Sequence, residues 1–336
     1  MTARWLSLVL ACGCQGEPLA AAVEASDGAA AVAVDRVAAG VPARYGNVEI
    51  LRDDWGIPHV FSDTDEGAMF GLGYATAEER GFQMSYGRRI MQGRLAETIG
   101  ARPHGSRRET ALDLDRKMRT FGWRNAAARV TARLDRGTLA LLRAYAEGVN
   151  ASFARQRVEA RLHPLFAELE MEIEPWEPAD CLLSWWHVAQ FFATDGTRDL
   201  ISWRNETQAV EGRRPPQPGP GWVDDATAVV QRGDVTDAWA EAVERFAASL
   251  GVAEEGEETG VEGPKFSHAW VVSGAKAGTG AAVLVSDPQT PVRNPSLWME
   301  FHVSGRTFNA RGVGVPGSPG LLIGFNRRVA DRKSVV

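Results

Sequence analysis

Residues 267–274 read Ser-His-Ala-Trp-Val-Val-Ser-Gly, and the character of the sequence changes at this point. Downstream of it, short apolar runs separated by glycines predict strands. These predicted strands cover Ala269 to Val272, Ala281 to Val285, Leu297 to Val303 and Leu321 to Phe325. Gly274 to Gly280 joins the first two as a hairpin loop of the longer kind. Residues 267–330 are therefore predicted to form antiparallel strands.

The stretch immediately upstream, residues 251–266, is an acidic connector. Its glutamates are Glu254, Glu255, Glu257, Glu258 and Glu262, and bulky apolar residues are scarce. A charge run of this kind predicts exposed chain without a core-facing side. Composition alone is equally compatible with an ordinary solvated loop.

Residues 45–250 are predicted to be mainly helical. Apolar residues recur at three- and four-residue steps, which is the period of a helix with one buried face. The predicted helices are Glu66 to Ile99, Thr138 to Phe153, Pro178 to Phe192 and Thr236 to Leu250. Strand-like residues at Val48 to Leu51 and His59 to Phe61 predict a hairpin before them. Helices followed by hairpin-linked strands indicate an α+β fold and not alternating βαβ units.

The N-terminal residues have the pattern of a targeting segment. Within residues 1–14, Arg4 precedes an apolar run that ends in small residues and cysteine, which predicts an export signal. The tetrapeptide Val9-Leu10-Ala11-Cys12 resembles a bacterial lipobox, with Cys12 or Cys14 as the acylated residue; the alternative reading is a buried N-terminal strand. Residues 15–44, rich in alanine, predict a flexible leader. We therefore expect a periplasmic or extracellular protein, released from its signal or held by a lipid tether.

The composition of the chain limits the classes of partner that it can bind. The chain has 336 residues, 44% of them hydrophobic, and a net charge of -6. Binding to the phosphates of nucleic acid needs clustered Lys and Arg, and the sequence has no sustained basic run. Nucleic acid is therefore excluded as a partner, and a small molecule is favoured. Its three cysteines give no disulfide framework, and its six histidines show no metal-ligand spacing.

Ser267 is the candidate nucleophile, because it lies where the connector meets the first strand. If the peptide bond before such a serine is cut, the freed α-amine can act as base for the neighbouring hydroxyl. An α-amine has a pKa of about 7.7 to 8.0, so part of it is neutral and able to accept a proton at physiological pH. The alternative reading is a serine that caps a strand.

Several blocks of sequence, in order, resemble the penicillin acylase family. The upstream blocks are Arg52-Asp53-Asp54-Trp55-Gly56-Ile57-Pro58-His59-Val60, Gly71-Leu72-Gly73-Tyr74-Ala75-Thr76-Ala77-Glu78-Glu79-Arg80-Gly81-Phe82-Gln83-Met84, Arg88-Arg89, Gly93-Arg94-Leu95-Ala96-Glu97, Tyr145-Ala146-Glu147-Gly148-Val149-Asn150 and Pro175-Trp176-Glu177-Pro178-Ala179-Asp180. The downstream blocks are Ser267-His268-Ala269-Trp270-Val271-Val272-Ser273-Gly274 and Ser286-Asp287-Pro288-Gln289. The likeness covers roughly residues 45 to 330.

The resemblance implies an N-terminal nucleophile (Ntn) hydrolase with a four-layer αββα sandwich, incomplete here. It implies a cut between Phe266 and Ser267, which leaves a small chain within residues 45–250 paired with a large chain that starts at Ser267. The large chain's serine would hydrolyse linear amides through an acyl-serine intermediate, with Gln289 bonded to its amine and no cofactor for catalysis. Penicillins, cephalosporins and acyl-homoserine lactones are the implied substrate classes.

The resemblance also suggests two further sites. Family members hold a structural calcium, for which Glu206 is the candidate ligand. The helical region contributes to an acyl pocket, for which Trp186, Phe191 and Phe192 are the candidates; core packing is the alternative reading of these aromatic residues.

Four departures from the family pattern lead to further expectations. Phe266 stands where a small residue is usual and His268 where asparagine is usual, so slow or altered maturation is expected. Residues 331–336 are atypical, and the oxyanion asparagine of the family has no counterpart in the sequence. We therefore expect an incomplete chain that is inactive by itself.

Two other functions stay open at this level. One is a non-catalytic envelope protein that uses the acylase scaffold for binding, and the other is an ordinary serine hydrolase with its base elsewhere. A dinucleotide motif at Gly312 to Gly317 is rejected, because Pro316 and Gly-Ser-Pro-Gly leave no helix to receive a pyrophosphate.

Overall fold

A computed structural model describes residues 33–35, 41–104, 110–192, 241, 245, 267–278, 280, 282–288, 290 and 294–330. Its helices are α1 (Asp65–Gln92), α2 (Ala96–Ile99), α3 (Ala111–Phe121), α4 (Trp123–Thr131), α5 (Arg136–Val158), α6 (Leu165–Glu168), α7 (Pro178–Phe192) and α8 (Gly274–Ala277). A 3-10 turn covers Ala43–Tyr45. Its strands are β1 (Ala33–Asp35), β2 (Val48–Arg52), β3 (Pro58–Ser62), β4 (Ser267–Val272), β5 (Val283–Pro288), β6 (Met299–Ser304), β7 (Asn309–Gly314) and β8 (Ile323–Phe325).

The strands form two sheets. One has six strands in the order β1-β2-β3-β6-β7-β8, and the other is the two-stranded ribbon β4-β5. Every pairing is antiparallel except β3 with β6, which is parallel. The six-stranded sheet therefore joins strands from both sides of the acidic connector. Helices on a mainly antiparallel sheet confirm the α+β class.

Helix α1 has clear signals at both ends. The side chain of Thr64 accepts a hydrogen bond of 2.9 Å from the amide of Gly67, which satisfies one free N–H of the first turn. Gly93, at φ 65°, ends the helix in the left-handed conformation that glycine adopts without steric cost. The helix predicted over Glu66 to Ile99 is therefore broken after Gln92 and resumes as α2.

The core lies where α1 is packed between the sheet and α5. A side chain at Gly71 would overlap those of Val60 and Val48, and one at Gly73 would overlap the backbone of Tyr145. Gly71 therefore lets α1 approach the sheet, and Gly73 lets α1 cross α5 closely. Tyr145, Val60 and Phe70 are among the fully buried side chains.

Replacing Gly148 of α5 by alanine is expected to destabilise the protein. A β-carbon there would collide with the carbonyl oxygen of Phe70, a backbone atom that only a helix shift can move. Overpacking of this kind costs about 1–3 kcal/mol or more, which urea unfolding would measure. Gly137→Ala on the same helix is the matched control, because Gly137 is exposed and the nearest atom, an oxygen of the capping Asp135 carboxylate, is 3.3 Å away and has to move by only a few tenths of an ångström. An equal loss in both variants would contradict the close crossing.

The predicted hairpin, the helices at α5 and α7, and the strands after Ser267 are confirmed, with boundary shifts of a few residues. Of the helix predicted over Thr236 to Leu250, only residues 241 and 245 are described, and both are helical. Within residues 15–44, predicted as a flexible leader, the structure has β1, which pairs in register with β2, and the start of the 3-10 turn. The rest of that leader, residues 15–32 and 36–40, lies outside the described residues.

Five further elements were not predicted. They are helices α3, α4 and α6, strand β7, and α8, which turns within the loop that joins β4 to β5. Gly312 and Gly314 lie in strand β7 and a turn follows, which confirms that the dinucleotide motif was rightly rejected.

Candidate active site

Ser267 is the first residue of β4, as the sequence predicts for a nucleophile at the head of a strand. The antiparallel register places it opposite Pro288, the last residue of β5. Cα atoms of such directly opposed residues lie about 5 Å apart. Gln289 follows Pro288 in the sequence, but Gln289 and Phe266 lie outside the described residues, so their predicted roles stay predictions.

The β4-β5 ribbon exposes apolar side chains. Trp270 and Val271 are 57% and 69% exposed, and Val283 and Val285 on the facing strand are 41% and 48% exposed. Valine and tryptophan favour strands because such side chains pack well on a pleated surface. In the described residues, the ribbon supplies the pleat and the pairing that hold Ser267 in extended backbone.

The connection after β5 is tied to helix α1. Arg80 and Gln83 both donate hydrogen bonds to the carbonyl oxygen of Ser296, over 3.3 and 3.0 Å. The indole nitrogen of Trp298 donates to Thr290 Oγ1 over 3.0 Å. Ser296 is thus held against α1, and Thr290 is bonded to Trp298, two residues after Ser296.

The two parts of the chain meet along one seam. Strand β3 pairs with β6 in the register His59↔His302, Val60↔Val303 and Phe61↔Ser304. At the start of α1, the Asp65 carboxylate accepts hydrogen bonds from the amide and hydroxyl of Thr307, over 2.8 and 2.7 Å. Residues upstream and downstream of the predicted cut therefore form one hydrogen-bonded sheet.

A buried ionic network positions helix α7. The Arg88 guanidinium is 3% exposed and donates to Asp180 Oδ2 over 3.2 Å and to the carbonyl of Pro175 over 2.8 Å. Burial raises the pKa of Asp180, and the positive charge of Arg88 opposes that shift. Hydrogen bonds from Arg94 hold the pKa of Glu174 below its ordinary value, so this carboxylate stays ionised.

A loop of the downstream half also contacts α7. Gly317, at φ 93°, touches Ser184 so closely that a β-carbon would overlap the Ser184 hydroxyl and lie 3.1 Å from the ring of Trp176. Gly317 thus meets two requirements at once, a backbone conformation and a space, that only glycine satisfies.

The acyl-pocket candidates lie on α7, but only Trp186 has a described side chain. Its ring lies 5.6 Å from that of Trp123, centroid to centroid, and it packs against the cluster around Leu95 and Leu183. This contact favours core packing for Trp186. Nothing is described of the side chains of Phe191 and Phe192.

Other chemistry at the described residues is limited. Burial raises the pKa of the Cys181 thiol to about 12, so it is no competing nucleophile. Within the described part of the chain, no group of three or more His, Cys, Asp or Glu side chains is arranged to hold a metal ion, and Glu206 lies outside it. Among the helices described, none combines the length and apolar character needed to cross a membrane.

Sequence reasoning missed the residues that carry the seam. Arg80 and Gln83 were seen only as parts of a predicted helix and of a block that resembles the penicillin acylase family, and Asp65 lies one residue before the predicted start of that helix. Their partners at Ser296 and Thr307 lie more than two hundred positions away in the sequence, as hydrogen-bond separations of 216, 213 and 242 residues show. The one usable signal was that Arg80 and Gln83 are three positions apart and so share a helix face.

A serine that is the first residue of a strand, directly after the acidic connector, is the arrangement expected of a candidate N-terminal nucleophile enzyme. The family model for penicillin amidase matches residues 47–330, so the chain belongs to the penicillin amidase family.

Curated relatives agree with this membership. An acyl-homoserine lactone acylase of Pseudomonas aeruginosa, QuiP, is 28% identical over 289 residues, which cover 84% of this chain and 32% of that protein. The penicillin acylase 2 proenzyme of a Pseudomonas species is also 28% identical, over 84% of this chain and 35% of its own length. The chain thus spans about a third of the length of these relatives.

Among solved structures, a thermostable penicillin G acylase from Alcaligenes faecalis is similar to this chain. It is 24% identical, with a TM-score of 0.43, over 65% of this chain and 98% of the solved one.

Proposed function

We propose that the full-length protein is an autoprocessed acylase, which hydrolyses a linear amide with Ser267 as its N-terminal nucleophile. The observation that carries the proposal is the position of Ser267, the first residue of a strand directly after the acidic connector, in a member of this family. The membership supports an amide hydrolase, and the position supports the choice of residue.

Maturation is the first step of the proposal. The hydroxyl of Ser267 attacks the carbonyl carbon of Phe266, the peptide nitrogen leaves as the amine of Ser267, and water hydrolyses the resulting ester. The products are a carboxylate at Phe266 and a free α-amine at Ser267. The acidic connector supports this step, because a charged and solvated segment can leave the site once it is released.

Turnover uses the same two groups of one residue. The free amine takes the hydroxyl proton, the oxygen attacks the substrate amide, and the substrate's amine departs with that proton. Water then attacks the acyl-serine ester with the α-amine again as base, which releases the carboxylic acid. Gln289 is proposed to hold the α-amine through a hydrogen bond.

The substrate is proposed to be an acyl amide of the kinds that the relatives' names give: acyl-homoserine lactones, or penicillins. Export directed by residues 1–14, with or without a lipid on Cys12 or Cys14, remains a proposal, as does structural calcium at Glu206. Cleaved small and large chains are proposed to stay together, which the shared sheet supports.

A panel of acyl amides separates the enzyme from its alternative. The full-length protein is expected to release free amine from at least one acyl-homoserine lactone or penicillin, detected with an amine-reactive fluorophore. Binding of an acyl amide without release of amine would instead favour the non-catalytic envelope protein.

The third function has its own test. An ordinary serine hydrolase would keep its activity after the α-amine of Ser267 is blocked chemically. The proposal predicts that blocking this amine abolishes turnover, because the amine is the base.

A further inference from the structure

Two histidines face each other across the seam. His59 of β3 and His302 of β6 are direct partners in the parallel register. Their Nδ1 atoms are 3.3 Å apart and their rings are 66° from coplanar. One histidine lies upstream of the predicted cut and the other downstream, so this contact joins the two halves of the chain.

The outer nitrogen of each ring faces an acceptor. His59 Nε2 lies 3.4 Å from the Asp53 carboxylate, and His302 Nε2 lies 3.1 Å from Asn309 Oδ1. The amide nitrogen of Asn309 donates to Ser304 over 3.1 Å, which turns its oxygen toward His302. Both Nε2 atoms are therefore the protonated ones in this arrangement.

Counting protons shows what the central contact needs. Two neutral imidazoles carry two N–H groups, and both are used by the outer contacts. The two Nδ1 atoms would then present lone pairs to each other. A third proton resolves this conflict, because one ring then donates from Nδ1 to the lone pair of the other.

The charged surroundings favour a single added proton. Arg311 bonds Glu300 over 2.9 Å and lies 3.9 Å from Asp53. Burial raises the pKa of Asp53, but hydrogen bonds from the Ile57 amide, from His59 and from the Trp55 amide outweigh it and leave the pKa lowered. Asp53 and Glu300 carry two negative charges and Arg311 carries one positive charge, so one positive charge on the histidine pair makes the group neutral. A divalent metal ion would leave an excess of positive charge.

The remaining neighbours determine which ring is charged. His302 is 8% exposed and touches the edge of Phe61, while the His59 side chain is 21% exposed and adjoins a carboxylate. On the other side, β2 places Leu51 directly opposite His59 and the carboxylate residue Glu49 opposite Phe61. Burial lowers the pKa of His302. The hydrogen bond with Asn309 opposes this shift in part, and the charges of His59 and Arg311 add to it.

We propose that His59 and His302 share one proton, with His59 donating from Nδ1 and His302 accepting, and that this proton fastens β3 to β6. This shared-proton contact between His59 and His302 does not depend on the cut before Ser267. It makes the junction of the two halves sensitive to acid, because a second proton would place like charges on adjacent rings.

The sign of the pH effect on the acid side, below the unfolded pKa, follows from His302. Its folded pKa lies below the unfolded value of about 6.5, so its contribution to stability is fully present above that pH. As the pH falls below about 6.5, the unfolded chain binds a proton that the folded pair resists. Stability is therefore lost toward the folded pKa.

Nitrogen NMR of the full-length protein labelled with ¹⁵N-histidine tests the shared proton. At pH 7.5 we expect one ring with both nitrogens protonated and one with an unprotonated Nδ1. Both signals should change together in His59→Gln and in His302→Gln. His163→Gln, a histidine stacked on Phe82 and outside the pair, is the control and should leave them unchanged.

Thermal unfolding gives an independent readout if an NMR variant folds poorly. The drop in Tm from pH 6.5 to 4.5, the range in which the unfolded chain takes up a second proton that the folded pair resists, should shrink by ~2 °C or more in His302→Gln relative to wild type and His163→Gln. Asn309→Asp adds a carboxylate beside His302 Nε2, which favours the protonated ring in the folded state, so the loss of stability on acidification should be smaller than in wild type.

Two results would overturn the proposal. One is a pair of neutral rings at pH 7.5 with unchanged acid stability in all variants. The other is a pair of ring signals that shifts on adding Zn²⁺ or EDTA, which would assign the contact to a metal ion.

Discussion

Ser267→Ala in the full-length protein is expected to yield a single uncut polypeptide without amide hydrolase activity. Alanine removes the hydroxyl that is proposed to attack both the Phe266 carbonyl and the substrate. The expected loss of turnover is on the order of 10⁴–10⁶-fold, as when the nucleophile of a serine hydrolase is deleted. Denaturing electrophoresis measures the cut, and amine release measures turnover.

Ser273→Ala is the matched control for that experiment. Ser273 follows the same strand β4 and is exposed, and its side chain makes no cap hydrogen bond to the short helix α8. The control variant should be cut and active. If Ser267→Ala were cut and active to the same extent as Ser273→Ala, the nucleophile would be another residue.

Arg88→Met is expected to produce the largest loss of stability of any variant considered. Arg88 is 3% exposed, and its removal leaves the buried Asp180 carboxylate without its counter-charge. Breaking one side of a buried ion pair costs about 3–5 kcal/mol. The carbonyl of Pro175 also loses its donor, which loosens the approach to α7. Chemical denaturation measures the free energy of unfolding.

Arg116→Met is the control for the buried pair. Its ion pair with Asp113 is at the surface, where the side chains are 72% and 46% exposed. Exposed pairs contribute about 0–1 kcal/mol, so little change is expected. The double variant Arg88→Met/Asp180→Leu should recover part of the loss, because no unpaired charge remains. Similar losses for Arg88→Met and Arg116→Met would contradict the role of burial.

Local signals in the sequence were enough to predict much of the fold. The period of apolar residues predicted α1, α5 and α7, and Gly56 and Pro58 predicted the turn of the first hairpin. Ser267 was singled out because composition changes abruptly there, and the structure places it at the head of β4.

Long-range pairing could not be predicted from one sequence. Nothing near His59 indicates that β3 pairs with β6 rather than with another strand, because register depends on side-chain packing across the sheet. The short strand β1 was missed because Ala-Val-Asp gains its order only from pairing with β2. Helix α3 was missed although Thr110 and Asp113 form a capping box at its start.

The chemistry proposed for the candidate site could be predicted from residue types and their order. The contacts that join the downstream loops to the helices could not, because Ser296, Thr307 and Gly317 look like ordinary loop residues until the fold brings them to α1 and α7. Trp186 was open to two readings, pocket or core; it packs against Trp123, which favours the core, and its part in a pocket stays a prediction.

The central claim is that the bond before Ser267 is cut to expose the nucleophile. Intact-mass and N-terminal sequence measurement of the purified, active full-length protein tests it most directly. We predict two polypeptides that elute together, the second beginning Ser-His-Ala-Trp. A single polypeptide with residues 266 and 267 still joined, and with full amide hydrolase activity, would contradict it.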